Sequence, residues 1–205
     1  DVIDNRYHAL SGNFGIVGKP GKGFRIAALF STGFRAPNVD DMAKIFDPAP
    51  GTVIVPNNKL KPEYTINGEL TIEKTFVEKV RISATGFGTY FINGMTPDVA
   101  TFNGADSIDY NGGLKRVTQL VNKNKAYVAG VSAMLEGDVT DWMSVYASLT
   151  YTYGRIVTDS VPYPLDHIPP IYGRAGFRMQ YKWVRGEFFS VFSCKKKVKD
   201  YNMLG

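Results

Sequence analysis

The sequence predicts an all-β chain: an antiparallel up-and-down meander of about eight long strands. Three observations predict it. Connections alternate short and long from one end of the chain to the other. Between them lie segments of roughly ten to twelve residues with period-two patterning. Most of these segments set an apolar row against a polar one. Strands of that length, with tight turns at one end and long loops at the other, suit a β-barrel that crosses a membrane. Soluble sandwiches have shorter strands and lack this asymmetry between their ends.

The tight connections are Gly18–Gly23, Phe76–Val80, Gly137–Trp142 and Lys182–Gly186; the long ones are Arg35–Glu63, Asn93–Lys125 and Ile156–Pro170. Leu10, Gly12, Phe14, Ile16 and Gly18 form one row of the first strand, and after a glycine turn Phe24, Ile26, Ala28, Phe30 and Thr32 continue as a hairpin. In the third strand Tyr64, Ile66, Gly68, Leu70 and Ile72 oppose Thr65, Asn67, Glu69, Thr71 and Glu73, a segment bordering oil on one side and water on the other. The fourth, Val80–Ile92, shifts phase near Gly86-Phe87-Gly88, which predicts a bulge. The fifth carries Tyr127, Ala129, Val131, Ala133 and Leu135 on one face. The sixth sets Met143, Val145, Ala147, Leu149, Tyr151 and Tyr153 against Ser144, Tyr146, Ser148, Thr150 and Thr152. In the seventh, Ile171 to Tyr181 alternate with a row containing Arg174, Arg178 and Lys182, which reads as charge lining a water-filled lumen. The eighth, Glu187–Cys194, is ambiguous in phase. Aromatic residues near strand ends (Tyr7, Phe24, Phe34, Tyr64, Trp142, Tyr153, Tyr181 and Trp183) resemble two interfacial girdles. One short helix is expected in the first long loop, Val39–Phe46, capped by Asn38 and with acids in its first turn.

Composition agrees. Of 205 residues, 13% are aromatic and 21% charged, with 21 Gly and 12 Tyr, which is a β composition and not a helical one. No run approaches the ~20 apolar residues of a membrane helix, and barrel strands need none. The net charge of +5 is scattered over turns and loops, not clustered beside stacking aromatics, so no nucleic-acid partner is implied. The densest run, Lys195-Lys196-Lys197-Val198-Lys199, reads as a strand end at an interface or a solvated face. Cys194 is alone and forms no internal disulfide. The chain opens at Asp1 without a basic, apolar leader and stops at Gly205 soon after a strand, so both ends read as cut from a longer protein.

Enzyme signatures are absent from the sequence. The Gly18–Gly23 glycines lack the Lys-Ser/Thr ending of a phosphate loop, and Gly86-Phe87-Gly88 lacks a third glycine and a following helix. No nucleophile elbow or paired-cysteine spacing occurs. Asp166-His167 reads as a polar loop contact in preference to half a dyad. Asn103, Asp106 and Asp109 read as a solvated acidic loop in preference to a calcium site. No metal, catalytic residue or cofactor is expected.

Two stretches carry a family resemblance. Ser31-Thr32-Gly33-Phe34-Arg35-Ala36-Pro37-Asn38 is followed by Asn57-Asn58-Lys59-Leu60-Lys61-Pro62-Glu63, and Pro164-Leu165-Asp166-His167-Ile168-Pro169-Pro170 precedes Tyr172-Gly173-Arg174. The first pair resembles the barrel signature of TonB-dependent outer-membrane receptors, with motif residues Gly33, Phe34, Arg35, Ala36, Pro37, Asn38, Leu60, Lys61, Pro62 and Glu63. The second is similar to that family's proline-rich re-entry into a later strand. The flavour is similar to receptors of Bacteroidetes-type bacteria. The resemblance implies that residues 1–205 are a portion, roughly a third, of a 22-stranded transmembrane β-barrel, without the plug domain and the final strands. It implies the outer membrane of a Gram-negative bacterium, with tight turns facing the periplasm and long loops facing outside. It also implies uptake of a scarce small-molecule ligand (ferric siderophore, haem, cobalamin or glycan), contact with outer-membrane lipid, and coupling to the TonB complex through the missing plug.

Proline cannot donate to a strand ladder, so Pro37, Pro56 and Pro62 end pairing where loops begin. Arg35 and Glu63 then flank one loop, where an ion pair across its base is expected. Candidate ligand contacts are Asn57, Asn58, Lys59 and Lys61 in the first long loop and Tyr163, Asp166 and His167 in the third. Two alternatives remain open at this level: a small eight-stranded structural or passive outer-membrane barrel, and a soluble β-sandwich binding module.

Overall fold

The computed structural model describes residues 6–157, 162–165, 168–197 and 200, with the side chains of 123 and 124 excepted. Eleven strands and one short helix follow in the order β1 (Gly12–Gly18), β2 (Phe24–Arg35), α1 (Val39–Ala43), β3 (Thr52–Val55), β4 (Glu63–Phe76), β5 (Val80–Val99), β6 (Ser107–Tyr110), β7 (Gly113–Thr140), β8 (Met143–Val157), β9 (Tyr163–Pro164), β10 (Tyr172–Tyr181) and β11 (Val184–Ser193). Eight of them form the main path of a single sheet, β1-β2-β4-β5-β7-β8-β10-β11, each beside its sequence neighbour on that path. This is the expected meander. β1 and β11 end the path and are not paired with each other, so the sheet is open. β3, β6 and β9 attach at the side, β3 running parallel to β7.

The chain forms two compact units. One comprises Gly12–Ser31, Ile66–Tyr90 and Tyr127–Gly205. Here the usual relation between polarity and burial is inverted. In β4 the apolar row is bare, with Ile66 39%, Leu70 49% and Ile72 47% exposed. The polar row beside it is half-buried and bonded: Asn67 Nδ2 donates to Glu69 Oε1 (3.0 Å), Thr89 Oγ1 donates to Asn67 Oδ1 (2.7 Å), and Thr71 and Thr85 share a hydroxyl bond (2.9 Å). A soluble sandwich would bury the apolar row instead.

Registers explain the last strands. Phe177 lies opposite Phe188 and Val145, while Arg178 lies opposite Glu187 and Ser144. This resolves the ambiguous phase: Phe188 stacks on Phe177 (5.4 Å, 23°) on the apolar face, and Glu187 joins the arginines on the polar one. The strand starts at Val184, earlier than the expected Glu187, because the turn after Tyr181 is tighter than the sequence implied. The row of cations expected on this face has acid partners that the sequence did not reveal. Glu187 accepts from Arg174 (3.4 Å), Arg178 (3.3 Å) and Tyr146 (2.7 Å), and Glu136 accepts from Arg81 and Arg178. Arg174 also lies over the Phe189 ring at 4.0 Å and Arg178 over Tyr146 at 4.5 Å. Three arginines thus share two carboxylates in one network on this face.

Nor does β5 change phase at Gly86-Phe87-Gly88. Ile82, Ala84, Gly86 and Tyr90 are exposed while Ser83, Thr85, Phe87 and Thr89 are half-buried; Gly88, also half-buried, departs from the pattern, which resumes in the same phase after it. Phe87 is a large apolar residue on the polar face, accommodated by Gly130. A Cβ there would lie 2.4 Å from Phe87 Cζ and 2.4 Å from the Tyr151 carbonyl oxygen.

The other unit comprises Asp1–Ser11, Thr32–Thr65 and Phe91–Ala126. It has a conventional core. Among the described residues, the buried apolar side chains are Met42, Val53, Ile54, Val55, Leu60 and Val117, and all belong to this unit. Val53, Val55 and Val117 are packed by Ile45, Ala100, Phe102, Ile108 and Tyr110. The loop expected over Asn93–Lys125 is largely strand: β5 runs on to Val99, β7 begins at Gly113, and β6 folds back on β7. Asn93, Asn103 and Asn111 take positive φ, a conformation asparagine tolerates, so strand and turn continue where the sequence reads as loop.

Candidate functional site

The best-defined polar constellation is the base of the first long loop, where β2 ends and β4 begins. Pro37 is buried and terminates β2. Asn38 caps α1: its Oδ1 accepts from Asp41 N (2.7 Å) and its own N donates to Asp41 Oδ2 (3.0 Å), a reciprocal capping box. The helix stops at Ala43, short of the expected Phe46, because Phe46 instead bridges to Ile54.

Arg35 then joins three segments. Its Nη1 donates to Glu63 Oε2 (3.0 Å) and its Nη2 to Asp41 Oδ2 (2.8 Å). The ion pair expected across the loop base is therefore present, with Asp41 as a partner the sequence did not reveal. The hydrogen bond that Arg35 donates to Glu63, together with the Asp41 charge, outweighs partial burial and raises the Arg35 pKa above its ordinary value. The other Glu63 oxygen, Oε1, accepts from Met95 N (2.6 Å), tying in β5. Phe34 and Tyr64 pack their rings at 6.4 Å, and a Cβ at Gly33 would meet Thr65 Oγ1 at 3.0 Å. The end of β2 thus meets the start of β4 at three successive positions. Tyr7 departs from its expected girdle role: its hydroxyl donates to the Leu60 carbonyl (3.1 Å) and contacts Met42 Sδ (3.4 Å).

The predicted ligand residues divide. Asn57 is occupied, its Nδ2 donating to Leu120 O (2.6 Å) and its Oδ1 accepting from Lys59 N (3.0 Å). Lys61 is held through its backbone, its N donating to Asn122 Oδ1 (2.6 Å), while Asn122 Nδ2 donates to Lys61 O and Asn93 O (both 2.8 Å). Asn57, Asn58 and Lys59 come together with Met42, Pro56 and Gln119 around a cavity of about 440 Å³. Tyr163 lies elsewhere, half-buried in β9 opposite Ile156. Asp166 and His167 lie outside the described residues. Asn122 and Gln119 were missed by sequence reasoning. Both sit in a run of alternating polar residues within β7, and no local signal distinguishes them from solvated strand positions.

β8 gives the scale of the sheet. Trp142 and Tyr153 flank its apolar row. The roughly eleven steps between them, at ~3.3 Å each and a ~40° tilt, span about 28 Å, close to the ~25 Å apolar band of a membrane barrel. An antiparallel sheet with a bare apolar face of that height and a bonded polar face is of the membrane β-barrel class. The chain belongs to the TonB dependent receptor-like β-barrel family, whose model matches residues 1–200.

Solved structures agree on the fold. The copper transporter OprC is similar at a TM-score of 0.61 and 19% identity, over 83% of this chain and 25% of that one. The ferric enterobactin receptor PfeA of Pseudomonas aeruginosa gives 0.64 and 17%, over 83% and 26%. The siderophore receptor PirA of Acinetobacter baumannii gives 0.64 and 18%, over 87% and 28%. This chain therefore spans about a quarter of the length of these structures. No curated protein matches it in sequence.

Proposed function

We propose that this chain is part of the barrel wall of an outer-membrane, TonB-dependent receptor that imports a scarce ligand. The observation that supports this best is the inverted sheet, bare on its apolar face and bonded on its polar face, in a chain of this family. Its role is transport and not catalysis. The tight turns face the periplasm and the long loops the exterior. The similar structures include siderophore receptors and a copper transporter, so a metal or metal chelate is the favoured cargo.

Within the loop unit, Asn58 and Lys59 at the rim of the 440 Å³ cavity are the ligand-facing members, a cation and an amide suited to an anionic or oxygen-rich ligand. Asn57 and Lys61 act by fixing the loop. The test is uptake by cells carrying the intact protein, grown under iron limitation with single ferric siderophores or under copper limitation with copper. Uptake that requires both this protein and TonB supports the reading. Uptake that persists without TonB overturns it in favour of a passive barrel.

A further inference from the structure

Lys74 is out of place. Its neighbours in the alternating row of β4, Ile66, Leu70, Ile72 and Phe76, are bare apolar residues, and a cation cannot be held cheaply at that face within hydrocarbon. Its side chain is nevertheless well placed. The ammonium lies 4.1 Å from the Phe24 ring centre and 5.6 Å from that of Phe76, and donates to the Lys22 carbonyl (2.9 Å). Thr75 N also donates to Gly23 O (2.7 Å). The turn carrying Lys19 and Lys22 is therefore pinned against the end of β4. Gly23 must be glycine for this approach, since it has φ +71° and a Cβ would meet Thr75 O at 2.2 Å. Lys19, Lys22 and Lys74 make no ion pair among the described residues. The nearest acid in β4, Glu73, is on the other face, and the adjoining turn pairs Glu78 with Lys79 in sequence and adds no net charge.

We propose that this short-turn end of the first hairpin is a docking surface for phospholipids with anionic headgroups. Lys74, framed by Phe24 and Phe76, and the turn lysines Lys19 and Lys22 meet the phosphates. The proposal rests on the reading that the bare row faces lipid. Phe24 and Phe76 enter the acyl boundary, and the Lys74 stem crosses it so that the ammonium emerges among headgroups. One of its donors is taken by Lys22 O; the remaining two suit the oxygens of a phosphodiester. Three unopposed cations favour a charged over a zwitterionic headgroup.

The test uses the intact protein in nanodiscs of phosphatidylcholine mixed with phosphatidylglycerol, with native mass spectrometry counting the lipids retained. The wild type retains phosphatidylglycerol preferentially. At ~1 kcal/mol per cation, about fivefold each, Lys74→Gln weakens the preference and the triple variant with Lys19→Gln and Lys22→Gln abolishes it. Arg185→Gln, on the polar face of β11, leaves it intact. Heat-modifiable migration of each variant confirms folding. Equal retention of both lipids by the wild type, or an unchanged preference in the triple variant, overturns the proposal alone. A protein that stays soluble and enters neither kind of nanodisc overturns the membrane reading with it.

Discussion

Glu63→Ala separates the two tasks the structure gives this carboxylate. One oxygen takes the charged bond from Arg35; the other takes the backbone N–H of Met95 at 2.6 Å. The Arg35 side chain is 52% exposed, so its pair with Glu63 contributes within the ~0–1 kcal/mol of surface ion pairs. The Met95 bond is charge-assisted and part-buried, and losing its acceptor leaves a backbone donor unpaired, at about 1–2 kcal/mol. At 1.4 kcal/mol per decade, the Met95 amide should exchange with deuterium about 5–30 times faster in Glu63→Ala. Arg35→Ala should leave Met95 protected, because Glu63 Oε1 still accepts there. Hydrogen exchange with mass spectrometry on the intact protein reads both variants. Equal acceleration of Met95 in the two, or none in Glu63→Ala, would refute the division of labour.

Three further perturbations follow from the geometry. Gly130→Ala forces a methyl group against Phe87 and the Tyr151 carbonyl, and should cost about 1–3 kcal/mol. It is measured as a lower temperature of the folded-to-unfolded gel shift, and the backbone clash means that Phe87→Ala rescues it incompletely. Glu187→Ala leaves Arg174 and Arg178 without their shared acceptor and should lower the midpoint of urea unfolding, an effect partly restored by adding Arg174→Met. Asn122→Ala removes the acceptor for Lys61 N and the donor to two carbonyls, and should speed proteolysis of the first long loop several-fold, whereas Lys59→Ala should not.

The strands were legible because lipid and water impose opposite demands on alternate residues. β8 from Met143 to Tyr153 and β4 from Tyr64 to Glu73 carry that alternation, so their faces could be read residue by residue. β11 could not be read alone: aromatic Phe188 and Phe189 fall on opposite faces, and only its register against β10 assigns them. The apparent bulge in β5 came from Phe87, whose place on the polar face depends on a glycine more than forty residues away.

The loop base was legible in part. Prolines and the Asn38 cap mark its ends locally, and the Arg35–Glu63 pair followed from their positions at strand termini. Met95 and Asn122 could not be found the same way, because each joins through a tertiary approach, and Asp41 reads in the sequence only as an acid in the first turn of the helix. The second long connection misled for a related reason. Its asparagines read as loop residues, yet at positive φ they let β5, β6 and β7 continue as strand. That continuation supplies Val117 and thereby the core on which the first loop packs.

The central claim is that the row Ile66, Leu70 and Ile72 faces lipid while Asn67, Glu69 and Thr71 face water. Single nitroxide labels at these positions, in the intact protein in a bilayer with Cys194→Ser, test it most directly. The account predicts that molecular oxygen relaxes labels at 66, 70 and 72 more than a water-soluble nickel chelate does, with the order reversed at 67, 69 and 71. Nickel access equal on both faces, or greater at the apolar row, would contradict it.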